Sequence, residues 1–219
     1  MSRLTFLLCA TLVCRAEAPP GFTPIFNGRD LSGWHVSKTN HHGTTPEVKV
    51  VDGVIHIGQN PPGRGGVLLT DRKYRDLEVY VELMPEWGCD GGLFLRSNED
   101  GAAYQVMIDY LERGSVGGIY GERLKGVAPM RPKEDWTKLW RKSEWNTLRA
   151  RIEGETPHIM VWMNGTLLLD ATDTANHAAD GAVEGMIGLQ SHYSNEKTPR
   201  WAPGGYHRFR VVAVKELNK

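Results

Sequence analysis

Cysteine is scarce in this chain. Three occur in 219 residues, and two of them, Cys9 and Cys14, lie in an N-terminal apolar run. With that run set aside only Cys89 remains, which excludes an internal disulfide and leaves stability to a packed core. No base stands at an obvious spacing from Cys89, and cysteine is among the most buried residue types, so a structural role is expected for it. Net charge is missing as well, since 26 Lys and Arg balance 26 Asp and Glu. No field exists to gather nucleic acid or an anionic membrane. No apolar run reaches the roughly 20 residues that span a bilayer. No stretch joins helical periodicity to capping residues. Pro61 to Gly66, PPGRGG, lacks the Gly-Lys-Ser/Thr ending of a phosphate loop, and no dinucleotide fingerprint occurs. Repeats and low-complexity tracts are absent too.

What is present begins with a leader. Arg3, the apolar Leu4 to Cys14 and the small-x-small pattern Ala16-Glu17-Ala18 read as a signal peptide over residues 1–18, which predicts export to the periplasm or the medium. Neither Cys9 nor Cys14 follows the small residue that lipoprotein processing needs, so lipid anchoring is the less favoured reading. Residues 19–219 then read as one domain. About a dozen short alternating segments, separated by turns rich in the 25 Gly and 12 Pro, and no βαβ spacing, predict an all-β fold of two stacked antiparallel sheets, a jelly-roll sandwich.

The most informative stretch runs from Trp87 to Glu122. Successive strand side chains point to opposite faces, so parity sorts them. Leu93 and Leu95 fall on one face of their segment, with Phe94 and Arg96 on the other. In the next segment Gln105 and Asp109 share the polar parity, and in the third Tyr120 and Glu122 do. The distant Ile187 to His192 alternates Ile187 and Leu189 with Gln190 and His192. A wet sheet face needs only polar residues, and Arg, Glu and Gln are ordinary there. This one is expected to collect acids, amides, a guanidinium, an imidazole and two rings, which suits polyol binding or proton transfer.

Elsewhere the signals are weaker. Asn40-His41-His42 lies in a polar loop, where both imidazoles can reach one metal or one substrate, although no third ligand follows at a zinc-like spacing. A solvated loop explains the same residues. Arg123 to Glu144, with Met130, Trp136 and Trp140, is a long connection that either folds over a ligand or plugs a sheet end. Asn164-Gly165-Thr166 matches a glycosylation sequon, but Asn-Gly is also a hairpin turn.

In order along the chain, IFNGRDLSGW, VDGVI, GGVLLTD, KYRDLEVYVEL, GCDGGLFLRS, AYQVMIDY, GGIYGE, SEWN and IGLQSH resemble the blocks of the 3-keto-disaccharide hydrolase domain family. The resemblance covers nearly all of Gly21 to Leu217. It implies a concanavalin A-like jelly roll and cleavage of the glycosidic bond in sugars oxidised to a ketone at C3, by hydrolysis or elimination, sometimes with a divalent metal ion. It also implies a separate sugar-oxidising oxidoreductase to make the ketone. Two positions depart from the family pattern: Val48 stands where Trp is frequent, and Gln105 where many members have Glu.

A C3 ketone acidifies the C2 hydrogen, so a base can form an enediolate, and expulsion of the C1 oxygen then needs an acid and positive charge near the C3 oxygen. On this scheme His192 is the expected base, Glu122 or Asp109 the acid or metal ligand, and Arg96 with Gln190 the oxyanion partners. Phe94 and Tyr120 would stack on the sugar, with Gln105 and His42 also binding it. Tyr104, on the opposite parity, is expected in the core. The rival readings are a non-catalytic lectin-like module, an interaction domain, and a conventional glucanase, whose Glu-x-Asp-x-x-Glu strand is lacking here.

Overall fold

Alternation in the sequence becomes two antiparallel sheets. The structure, a computed structural model, describes residues 16–217, so most of the expected leader lies outside the described residues. The eight-stranded sheet runs β12 (Thr166–Thr172), β11 (His158–Met163), β10 (Asn146–Glu153), β6 (Leu77–Pro85), β14 (His207–Glu216), β4 (Val54–Gly58) and β3 (Glu47–Val51), with β1 (Thr23–Pro24) against β14. The six-stranded sheet runs β2 (Trp34–Val36), β5 (Gly66–Thr70), β13 (Met186–Ser191), β7 (Gly91–Ser97), β8 (Ala103–Ile108) and β9 (Val116–Glu122). This is the expected jelly-roll sandwich. Helix among the described residues amounts to two 3-10 turns of three residues each, and none is long and apolar enough to cross a membrane.

The core lies between the sheets. Leu77, Val79, Val81 and Leu83 of β6 are buried on one side, and Leu148, Ala150 and Ile152 of β10 continue the layer. From the other sheet Leu93, Leu95, Tyr104, Val106, Ile108, Ile187 and Leu189 meet them. Burying each such Leu, Ile or Val contributes about 1.5–3 kcal/mol before entropy is counted. The outer face of the six-stranded sheet takes the opposite parity, and that face carries the site.

Three ambiguous segments resolve structurally. Trp136 and Trp140 pack partly buried against the core and join Tyr110 and Trp87 in an edge-to-face aromatic chain, so they plug a sheet end. Asn164 donates its amide to Leu139 O and Asn146 Oδ1, both at 2.8 Å, and accepts from Thr147 N, so the sequon side chain is engaged in tying its hairpin turn to the start of β10 and the segment before it. Cys89 is buried, and burial pushes its thiol up to about 12, which suits packing and not nucleophilic chemistry.

Candidate active site

Three strands bring the polar parity together. Ser191 pairs with Gly91, Gly92 with Met107 and Cys89 with Tyr110. Continuing that register sets Asp90 between His192 and Asp109, and His192 N donates to Asp90 O at 3.1 Å. Arg200, from the loop before β14, closes the row. Its Nη1 lies 3.2 Å from Asp90 Oδ2 and 3.6 Å from Asp109 Oδ2. Burial, then the facing Asp109, pushes the Asp90 carboxyl up to about 7 against the pull of Arg200. Asp109 is raised by burial as well.

One register step away lies an amide relay. Gln105 Nε2 donates to Gln190 Oε1 and to Gly91 O, each at 3.1 Å, and Gln190 Nε2 donates to His42 Nε2 at 2.8 Å. The relay crosses Gly92, where a Cβ would sit 2.5 Å from Gln105 Cγ and Nε2. Only a residue without a side chain lets Gln105 lie flat over that strand.

His41 and His42 arrive on the loop after β2, which is fastened to the turn after β7. Ser37 Oγ donates to Glu99 O at 2.6 Å, Lys38 N to Glu99 Oε1 at 2.9 Å, and Asn40 Nδ2 to Asp100 O at 2.9 Å. Asn40 Oδ1 accepts from His42 N at 2.9 Å. Glu122, at the end of β9, meets the pair, with Oε1 3.2 Å from His41 Nε2 and 3.5 Å from His42 Nε2. Burial raises the Glu122 carboxyl, but contact with His42 and the neighbouring imidazoles outweigh it and hold it below its ordinary value. One donor atom from each of the three lies within 4.8 Å of the others, and among the described residues they form the one such cluster of His, Cys, Asp or Glu. Two imidazoles and a carboxylate fit a borderline divalent cation such as zinc, manganese, cobalt or nickel. The single lone pair on His42 Nε2 is taken by the Gln190 amide, so a cation bound there would displace that hydrogen bond.

His192 stands between the two groups. Its ring packs on His42 at 4.3 Å and on Tyr193 at 4.5 Å between centroids. Nδ1 lies 2.6 Å from Tyr193 O, which can only accept, so the ring proton sits there and Nε2 is left with a lone pair. Nε2 is 3.9 Å from Asp90 Oδ2. Burial first, and then the neighbouring His42, push the imidazole down to about 4. A groove of about 550 Å³ opens beside His41, His42 and Tyr193, walled across by Pro61 to Arg64.

Of the residues expected on this face, Gln105, Asp109, Glu122, Gln190 and His192 converge, with His42. Tyr120 lies opposite Gln105 on β9, 47 % exposed, as the open ring on this face. Two do not fit. Phe94 has the right parity but is completely buried in a small second cluster with Val67, Leu69, Ala103 and Met186, so it cannot offer a face to a sugar. Arg96 leaves the site altogether. A register shift between β13 and β7 accompanies a left-handed backbone at Arg96, φ 51°, and turns its side chain to the opposite side. There Nη2 donates to Asp76 Oδ1 at 3.0 Å and Gly154 O at 2.8 Å. The guanidinium of the site is Arg200. Sequence reasoning also passed over Asp90, although its parity with Gly92 was readable in GCDGG.

The same architecture recurs in solved structures. Two candidate glycosyl hydrolases of Parabacteroides distasonis ATCC 8503 align at TM-scores of 0.60 and 0.61, with 17% and 19% identity, over 90% of this chain and 94% and 99% of theirs. The β-glucanase of Bacillus licheniformis aligns at 0.56 with 13% identity, over 90% and 99%. No curated protein matches the chain. These likenesses define the class of fold, a jelly-roll sandwich. Within that class the chain is a member of the 3-keto-alpha-glucoside-1,2-lyase-like domain family, whose sequence profile matches residues 21–215.

Proposed function

We propose that the protein cleaves the glycosidic bond of 3-keto-glycosides by removing the proton at C2. The observation that carries this reading is His192, a neutral half-buried imidazole whose Nε2 is free to accept a proton among carboxylates, amides and a candidate cation site. A ketone at C3 makes such a weak base sufficient, because the charge left on C2 delocalises onto the C3 oxygen. An unoxidised sugar offers no such relief.

Glu122 is ionised under this scheme and serves with His41 and His42 as a ligand set, not as an acid. A divalent cation held there would polarise the C3 carbonyl as a Lewis acid. Gln105 and Gln190 hold His42 in place. Tyr120 and Tyr193 supply rings for the sugar face. The proposal includes a separate sugar-oxidising oxidoreductase that makes the ketone, and export of the protein, a reading supported by the leader-like sequence of residues 1–18.

The test is incubation with a 3-keto-glucoside and with its unoxidised parent. Release of the aglycone from the ketone alone supports the proposal. Binding of either sugar without release makes the protein a carbohydrate-binding module, and cleavage of the parent makes it a conventional glycosidase.

A further inference from the structure

Two carboxylates in this site have one cation between them. Asp90 on the approach to β7 and Asp109 after β8 face each other across one strand spacing, both buried, with Arg200 Nη1 against each. Asp109 Oδ1 is buried with no hydrogen-bond partner. Around the pair, the loop before β14 contributes Arg200, the end of β13 contributes His192, and β14 contributes His207, fully buried beneath Gly91. His192 turns its Nδ1 to the Tyr193 carbonyl and away from the pair, and burial holds His207 neutral, so Arg200 is the cation that faces both carboxylates. Two like charges so close in a low-dielectric setting do not both ionise when a single guanidinium serves them.

We infer that Asp90 and Asp109 hold one proton between them and deliver it to the glycosidic oxygen as the C1–O bond breaks. This rests on the 3-keto-glycoside reading and adds the acid that reading lacks. The step balances without a redox partner. The C2–H bond breaks, its proton goes to His192 Nε2, and its electron pair enters the enolate at C2, C3 and the C3 oxygen. When the C3 carbonyl reforms, the pair becomes the C1–C2 double bond. The C1–O electrons leave on the aglycone oxygen, which takes the proton from the carboxyl pair. The products are the free alcohol and an unsaturated keto sugar. His192 Nε2, 3.9 Å from Asp90 Oδ2, is placed to hand its proton back.

The test compares two leaving groups on a 3-keto-glucoside, 4-nitrophenol, which departs without protonation, and a simple alkyl alcohol, which does not. D90N and D109N should each lose about 100-fold or more on the alkyl glycoside, the usual contribution of an acid, and less than about tenfold on the nitrophenyl one. Equal losses on both, or none on either, overturn the assignment. The wild-type enzyme supplies a check that needs no variant. Its rate on the alkyl glycoside should fall as pH rises past the pair's ionisation, and its rate on the nitrophenyl glycoside should not; parallel profiles contradict the inference. Wild-type enzyme inert on both ketones defeats the proposed function itself, whereas active wild type with equal losses defeats only the acid pair.

Discussion

His192 is oriented by the residue that follows it: its Nδ1 lies 2.6 Å from Tyr193 O. A carbonyl cannot donate, so this one contact fixes the tautomer and aims the basic nitrogen away from the chain. H192A should therefore lower kcat about 100- to 10,000-fold, the range of a lost general base, with an unchanged thermal transition. A loss confined to KM would assign the ring to binding alone.

Arg96 makes the opposite prediction. Its guanidinium ties the six-stranded sheet to Asp76 and to the β10–β11 turn, far from the row it was expected to join. R96M should destabilise the fold by about 3–5 kcal/mol, because Asp76 is left without its buried partner. Urea titration reads the loss, and kcat per folded molecule should stay near wild type.

These two residues mark how far the sequence could be read. Parity put Gln105, Asp109, Glu122, Gln190 and His192 on the face where the structure brings them together, because each lies on a strand, or one step past it, with period two intact. Arg96 failed because a bulge breaks that period, and no local feature of FLRS announces it. Phe94 failed for another reason: parity gives the face but not what covers it. The His41-His42 pair was visible, but its partner Glu122 lies on β9, at the opposite edge of the sheet from β2, and the loop meets it by crossing the sheet's outer face. Arg200 sits in an irregular loop without any period to read. Asp90 was legible and required only extending the β7 alternation by one step.

Gly92 keeps the amide relay flat. An added Cβ would sit 2.5 Å from Gln105 Cγ and Nε2, so G92A must push Gln105 off Gln190 and release His42. A stability loss of about 1–3 kcal/mol is expected from the overpacking. Activity should fall further than that loss of folded protein accounts for; a drop that tracks only the folded fraction would make the relay structural.

His207 gives the pH dependence a sign. Burial holds its folded pKa near 3, below the ordinary value of 6.5 that the unfolded chain recovers. Between those values the unfolded state binds a proton that the folded state cannot. Stability is full above about pH 6.5 and drains as pH falls toward 3, at up to about 1.4 kcal/mol per unit. H207F lacks that proton, so the stability difference between H207F and wild type should shift in favour of the variant across this window. A pH-independent difference would contradict the buried neutral imidazole.

The ligand set of His41, His42 and Glu122 predicts metal-dependent stabilisation. Zinc or manganese at about 100-fold its dissociation constant should add about 2.7 kcal/mol, read as a rise in Tm, and chelation should reverse it. The rise should vanish in H41A and E122Q. Equal shifts in those variants would move the ion elsewhere.

Proton removal at C2 is tested most directly with a 3-keto-glucoside deuterated at that carbon. Wild-type enzyme should show a primary isotope effect on aglycone release and should lose the label to water faster than the enzyme-free control, while H192A leaves the label at the control rate. Release at an unaltered rate with deuterium retained at C2 would contradict the mechanism.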